Sequence, residues 1–148
     1  MRLYQSRRFV WNAPAAITDA RGQVRFRLLG DAFAPTRRLY LRDLAGREAA
    51  FLRQTLPSLF PRYELEIYGR PAGALCVRDH EIIFQDSAWQ LTGSPEALHY
   101  DLVRDGETVA ICRPQDEDLL FLELPDPPEG LTALGLLTAA NCLILSGL

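Results

Sequence analysis

The side chains best suited to chemistry are few, and their spacing argues against most active sites. The two histidines, His80 and His99, lie far apart. His80-Glu81-Ile82-Ile83-Phe84 begins like a zinc-protease helix, but Phe stands where the second His ligand is needed. Cys76, Cys112 and Cys142 are too widely spaced for a CxxC metal or redox motif. Each sits in an apolar run, so three buried free thiols in a reducing cytosol are expected. Gly130 and Gly135 have the spacing of the two P-loop glycines, yet no Lys or Ser/Thr follows the second. Neither a Gly-x-Ser-x-Gly elbow nor a Gly-x-Gly-x-x-Gly run is present. Asp116-Glu117-Asp118 offers three carboxylates, but the chain turns apolar at Leu119. A calcium loop would continue its ligands at alternate positions and carry a turn Gly. The expectation is therefore no metal, no cofactor and no catalytic residue: a binding or scaffold module and not an enzyme.

What remains is arginine. All 16 basic residues are Arg, which excludes Schiff-base and P-loop lysine chemistry. A net charge of −3 argues against a nucleic-acid binder. The charge is unevenly spread: residues 1–78 carry fourteen Arg and six acids, whereas residues 79–148 carry two Arg and thirteen acids. Strand alternation places Arg25 and Arg27 on one face, opposite Val24, Phe26 and Leu28. Arg38 and Arg42 share a face opposite Leu39 and Leu41, and Arg47 and Arg53 share one on the next segment. If the apolar residues point inward, these guanidiniums lie outside on adjacent strands. A planar guanidinium pairs bidentately with phosphate oxygens. Arg25, Arg27, Arg38, Arg42 and Arg53 are thus candidate ligands for an anionic headgroup, with Tyr40 and Phe51 able to touch a bilayer interface. The competing reading is a solvated β-face whose Arg residues pair with acids across the fold.

The elements that must position these residues come from an internal repeat. One copy runs from Tyr40 through Gly46 to Leu52, another from Tyr63 through Gly69 to Leu75, and a third from Tyr100 through Gly106 to Cys112. A weaker copy opens at Ala16 and reaches Gly22. In each, Gly falls six residues after the opening position; in the three strong copies a small residue (Ala50, Gly73, Ala110) follows four later. Alternation before the Gly and turn residues around it make the unit a β-hairpin. Asp19-x-x-Gly22 and Asp43-x-x-Gly46 suit type I turns, and Asp105-Gly106 suits a two-residue turn with positive φ at both positions. Gly73 is expected to admit a closely approaching neighbour.

Twelve short strands are predicted, near 2–5, 13–18, 23–29, 38–43, 47–54, 62–68, 72–78, 81–85, 87–91, 99–104, 107–113 and 118–124. Pro125 to Gly130 then punctuates the chain, and Leu131 to Leu148 holds no charged residue. That segment reads as a helix over about 128–147, with Asp126 and Glu129 at the positive end of its dipole. A helix apolar all round is buried or in a membrane. Its small residues, the acids before it and the absence of a following Arg favour burial, so the chain is not expected to be transmembrane. Met1 to Arg8 has no apolar stretch behind it, so a cytoplasmic location is expected.

A twelve-stranded array that ends in one wholly apolar helix resembles the tubby-like C-terminal fold, related to the phospholipid scramblases. The segments Ile17 to Gly22, Tyr40 to Ala50, Pro61 to Gly69 and Tyr100 to Ala110, with the terminal helix, look like the LURP-one-related family across the whole chain. The resemblance implies one mainly β domain over 1–148, a closed antiparallel β-barrel around a central hydrophobic C-terminal helix. It implies fold more than function, since close members largely lack an assigned activity. The tubby domain binds phosphoinositides, but its lipid-binding positions have no residue-by-residue match here. The first expectation is a module that docks anionic phospholipid at a membrane surface through the Arg face. The alternative is a protein–protein interaction module with no lipid binding. A helix filling the lumen leaves little room for a substrate.

Overall fold

The computed structural model describes residues 1–33, 36–56, 61–86 and 88–147. Its local structure begins with the repeated hairpins. Gly22, Gly46, Gly69 and Gly106 all adopt φ between 77° and 80°, the left-handed turn conformation that glycine enters without steric cost. In the first two turns the Asp at the start does the same work twice. Asp19 Oδ1 accepts the N–H groups of Arg21 and Gln23, and Asp43 Oδ1 those of Ala45 and Arg47. In the other two, Tyr68-Gly69 and Asp105-Gly106, both central residues have positive φ, as the right-handed twist of the flanking strands favours.

Each copy carries a second shared feature. Three residues after the turn glycine, one residue has no partner on the opposite strand: Arg25, Ala49, Ala72 and Val109. These are β-bulges, and they bend the strands at equivalent places. Gly73, next to one bulge, sits at φ 141°, and a Cβ there would meet nothing within 4 Å. Backbone conformation, not the expected close approach, requires that glycine.

The strands are β1 (Arg2–Ser6), β2 (Pro14–Thr18), β3 (Val24–Asp31), β4 (Arg38–Asp43), β5 (Glu48–Leu56), β6 (Arg62–Ile67), β7 (Arg70–Arg78), β8 (Glu81–Phe84), β9 (Trp89–Ser94), β10 (His99–Arg104), β11 (Glu107–Pro114) and β12 (Leu119–Glu123). A 3₁₀ turn, Pro95–Ala97, links β9 to β10, and α1 spans Glu129–Leu145. The predicted strand 87–91 begins at a residue outside the described ones and continues past 91, because Thr92, Gly93 and Ser94 pair with β10. All twelve strands form one antiparallel sheet ordered β8-β7-β6-β5-β4-β3-β2-β1-β12-β11-β10-β9. Hairpins account for most neighbours. Pairing of β1 with β12, Arg2 opposite Glu123 through Ser6 opposite Leu119, curls the sheet into a nearly closed barrel. Strands β8 and β9 stand at its two ends.

The lumen is occupied by α1. Twelve consecutive-to-near-consecutive helix residues from Gly130 to Leu143 are buried, so every side of the helix meets strand side chains. Close approach needs small residues where the walls are nearest. A Cβ on Gly135 would stand 2.8 Å from Ile67 Cδ1 and 3.4 Å from Ala50 Cβ. The space left between helix and strands on that side is small, about 10 Å³. Among the described residues, no helix is long and apolar enough to cross a membrane.

One polar chain crosses this apolar interior. Tyr100 donates its hydroxyl hydrogen to Asn141 Oδ1 at 2.5 Å, and Asn141 Nδ2 donates to Gln5 Oε1 at 2.9 Å. Cys112 Sγ lies 3.5 Å from the Leu98 carbonyl and 3.7 Å from Asn141 Oδ1. Three elements of the barrel are thereby joined to one position of the helix, which fixes the helix along its axis as well as in rotation. Burial pushes the Cys112 thiol up to about 11, and raises the Cys142 thiol and the Tyr100 hydroxyl well above their usual ranges. Cys112 and Cys142 are the buried free thiols expected; Cys76 is only half-buried on the outside of β7, against expectation.

Candidate functional site

The site is built on the outer face of β3, β4 and β5. Phe26, Leu28, Leu39, Leu41, Ala50 and Leu52 point into the core, which turns the intervening residues outward. Register then sets three rows across these strands. Arg27 faces Arg42, which faces Glu48. Leu29 faces Tyr40, which faces Phe51. Asp31 faces Arg38, which faces Arg53. An apolar row thus runs between two rows that each contain two arginines.

The rows interact. Tyr40 and Phe51 stack with centroids 5.0 Å apart and planes at 29°. The Arg42 guanidinium sits over the Tyr40 ring at 5.6 Å. Arg53 reaches Glu64 Oε2 at 3.7 Å. Among the described residues, no carboxylate lies within 4.0 Å of the guanidiniums of Arg27, Arg38 or Arg42, and the buried Nε of Arg38 has no hydrogen-bond partner. Placing arginines side by side on neighbouring strands costs free energy through like-charge repulsion, and a bound anion would relieve it.

Of the five candidate arginines, the structure brings four together: Arg27, Arg38, Arg42 and Arg53. Arg25 is the bulged residue of β3, exposed, with its guanidinium 4.0 Å from Asp19 at the turn. Arg47, expected to share the Arg53 face, precedes β5. The bulge at Ala49 puts Glu48 opposite Arg42 instead. Arg47 is held at the turn by Asp43 at 3.2 Å and lies over Tyr68 at 5.4 Å. Burial alone would raise the Asp43 carboxyl, but the Arg47 N–H, the Tyr68 hydroxyl, the Arg47 charge and the Ala45 N–H together hold it below its ordinary value.

Other residues extend the site beyond what strand alternation shows. The Asp31, Arg38 and Arg53 row lies at one end of the barrel. The loops there expose Phe33 (86 %) and Val10 (61 %). Trp11 packs edge-on against Phe9 at 5.2 Å, with Arg37 over its ring at 5.1 Å. A Cβ on Gly30 would collide with Trp11 and Phe9, so that glycine lets the loop fold over the barrel end. Two adjacent Arg, Arg37-Arg38, are the only sequence mark of this corner.

Asp116-Glu117-Asp118 is a turn. Asp116 Oδ1 accepts the N–H groups of Asp118 and Leu119, and Arg8 pairs with Asp118 at 2.6 Å. Among the described residues, no group of His, Cys, Asp and Glu is arranged to hold a metal ion.

No family model and no curated protein matches this chain. Among solved structures, it is similar to the X-ray structure of a protein from Arabidopsis thaliana, with a TM-score of 0.63 at 15% identity. The alignment covers 98% of this chain and 90% of that one. At that identity the likeness establishes the fold, a nearly closed twelve-stranded antiparallel barrel around one C-terminal helix.

Proposed function

We propose that this chain is a LURP-one-related, tubby-like barrel that works without catalysis, docking at the cytoplasmic side of membranes through anionic phospholipid headgroups. The observation that carries the reading is the outer face of β3–β5, where Arg27 with Arg42 and Arg38 with Arg53 bracket the Leu29-Tyr40-Phe51 row. The guanidiniums suit phosphate oxygens, and the apolar row suits the boundary between headgroups and acyl chains. Phe33 and Val10 extend apolar surface at the adjoining rim.

Magnitudes are modest. A basic side chain near an anionic surface contributes about 1 kcal/mol. Arg53 contributes less, because Glu64 shares its charge. Three to four such contacts give reversible binding that weakens as salt screens it over roughly 10 Å. Co-sedimentation with phosphatidylcholine vesicles, with and without phosphatidylserine or a phosphoinositide, tests this. Binding only to anionic vesicles, and declining with salt, is the expected result. Equal recovery with all vesicles or with none would remove the lipid reading and leave the protein-interaction module.

A further inference from the structure

The barrel has one seam, between β8 and β9, and among the described residues no backbone hydrogen bond crosses it. The groups left facing each other follow from antiparallel alternation. The Gln85 N–H donates to the Ala74 carbonyl at 2.8 Å, so Phe84 and Ile82 turn their N–H and C=O away from β7, toward the seam. The Asp105 N–H donates to the Ala88 carbonyl at 2.9 Å, so by the same alternation Leu91 and Gly93 turn theirs away from β10. Both edges therefore present main-chain donors and acceptors to the same gap.

The gap is a cleft of about 580 Å³, a size typical of ligand sites. Its floor is apolar. Ile82 and Leu91 point inward, opposite the core residues Val77 and Leu102, yet both stay half-buried, as does Ile144 from the last turn of α1. Its mouth is acidic. Exposed Glu81, at the start of β8, and exposed Glu96, just past β9, line the same cleft beside His80. Neither β8 nor β9 carries a Pro or an inward charge of the kind that blunts an edge.

We propose that this seam receives an extended peptide segment with apolar residues at alternate positions and basic residues at its end. Such a strand lies antiparallel to one edge and parallel to the other. Its main chain satisfies the groups of Ile82 and Phe84 on one side and of Leu91 and Gly93 on the other. Its inward side chains cover Ile82, Leu91 and Ile144, and its basic residues meet Glu81 and Glu96. A helix would leave the edge groups unpaired, and a bilayer cannot enter the slot. Strands β6 and β7 separate the seam strand β8 from the β3–β5 face, so one molecule can use both surfaces.

The test uses acetylated Lys-Val-Thr-Val-Thr-Val-Lys, a version with Glu in place of Lys, and a version N-methylated on alternate backbone nitrogens. Amide exchange of the full chain is followed by NMR. In the free protein the amides of Ile82, Leu91 and Gly93 should exchange fast, and the Lys-flanked peptide should slow all three. The Glu-flanked and N-methylated peptides should each bind about tenfold more weakly, the loss of one or two main-chain or charged hydrogen bonds. Glu81→Gln with Glu96→Gln, both on exposed side chains, should weaken the Lys-flanked peptide and leave vesicle binding unchanged. Slow exchange at these amides in the free protein would overturn the proposal. So would affinity indifferent to N-methylation, or peptide contacts mapped to the β3–β5 face.

Discussion

At the scale of single residues, the interior polar chain is where small changes have large effects. Tyr100→Phe removes the donor to Asn141 Oδ1 and leaves that oxygen buried. A cost of about 1–3 kcal/mol is expected in urea unfolding. The raised thiol and phenol also set a pH dependence. In the unfolded chain these groups ionise near their ordinary values of 9.0 and 10.0, while the fold keeps them protonated well above that. The unfolded state then binds fewer protons than the folded one, so stability should fall as pH rises from about 9. Cys→Ala at 112 should flatten that slope in a pH series of unfolding curves. Accessibility separates the three thiols: Cys76 should react with a thiol reagent in the native protein, and Cys112 and Cys142 only in denaturant. Sequence placed all three in apolar runs. It did not distinguish the outward position of Cys76 from the inward ones, because β7 is apolar on both faces around it.

At the scale of elements, the hairpin is the unit, and its turn chemistry is testable. Gly46→Ala and Gly106→Ala force a Cβ into the left-handed region and should each cost about 1 kcal/mol in thermal or urea unfolding, although nothing stands within 4 Å of the added atom. These turns were legible because Asp and Gly recur at fixed spacing, and each has one conformational reason to be there. The bulges were not legible. An extra residue leaves no compositional mark, yet it shifts every later side chain by one position. That shift put Glu48, not Arg47, beside Arg42 and set Arg25 apart from the other four candidates. The Tyr40 and Phe51 contact could be read, since both alternate outward on consecutive strands. Leu29 could not: its membership depends on the cross-strand register of β3 with β4.

At the scale of the whole molecule, the apolar C-terminal segment explains what fills the barrel. The strands turn one apolar face each inward, and α1 fills the lumen between them. Removing residues 129–147 should abolish cooperative unfolding altogether, which circular dichroism during heating would show. The order of hairpins was readable from sequence, because consecutive strands pair when turns are short. Pairing of β1 with β12, and the seam opposite, depends on distant segments and has no local signature. The same topology gathers fourteen arginines in residues 1–78 onto one arc and leaves the acidic remainder to the other. Net charge and charge placement therefore make different predictions about membranes. The deciding measurement is vesicle binding by Arg27→Gln/Arg42→Gln beside Arg21→Gln/Arg70→Gln, two variants with the same loss of charge on different surfaces. Loss of about 2 kcal/mol of binding, roughly thirtyfold, in the first variant and near wild-type binding in the second is the expected result. Equal loss in both would mean that overall charge, and not the β3–β5 face, governs the interaction.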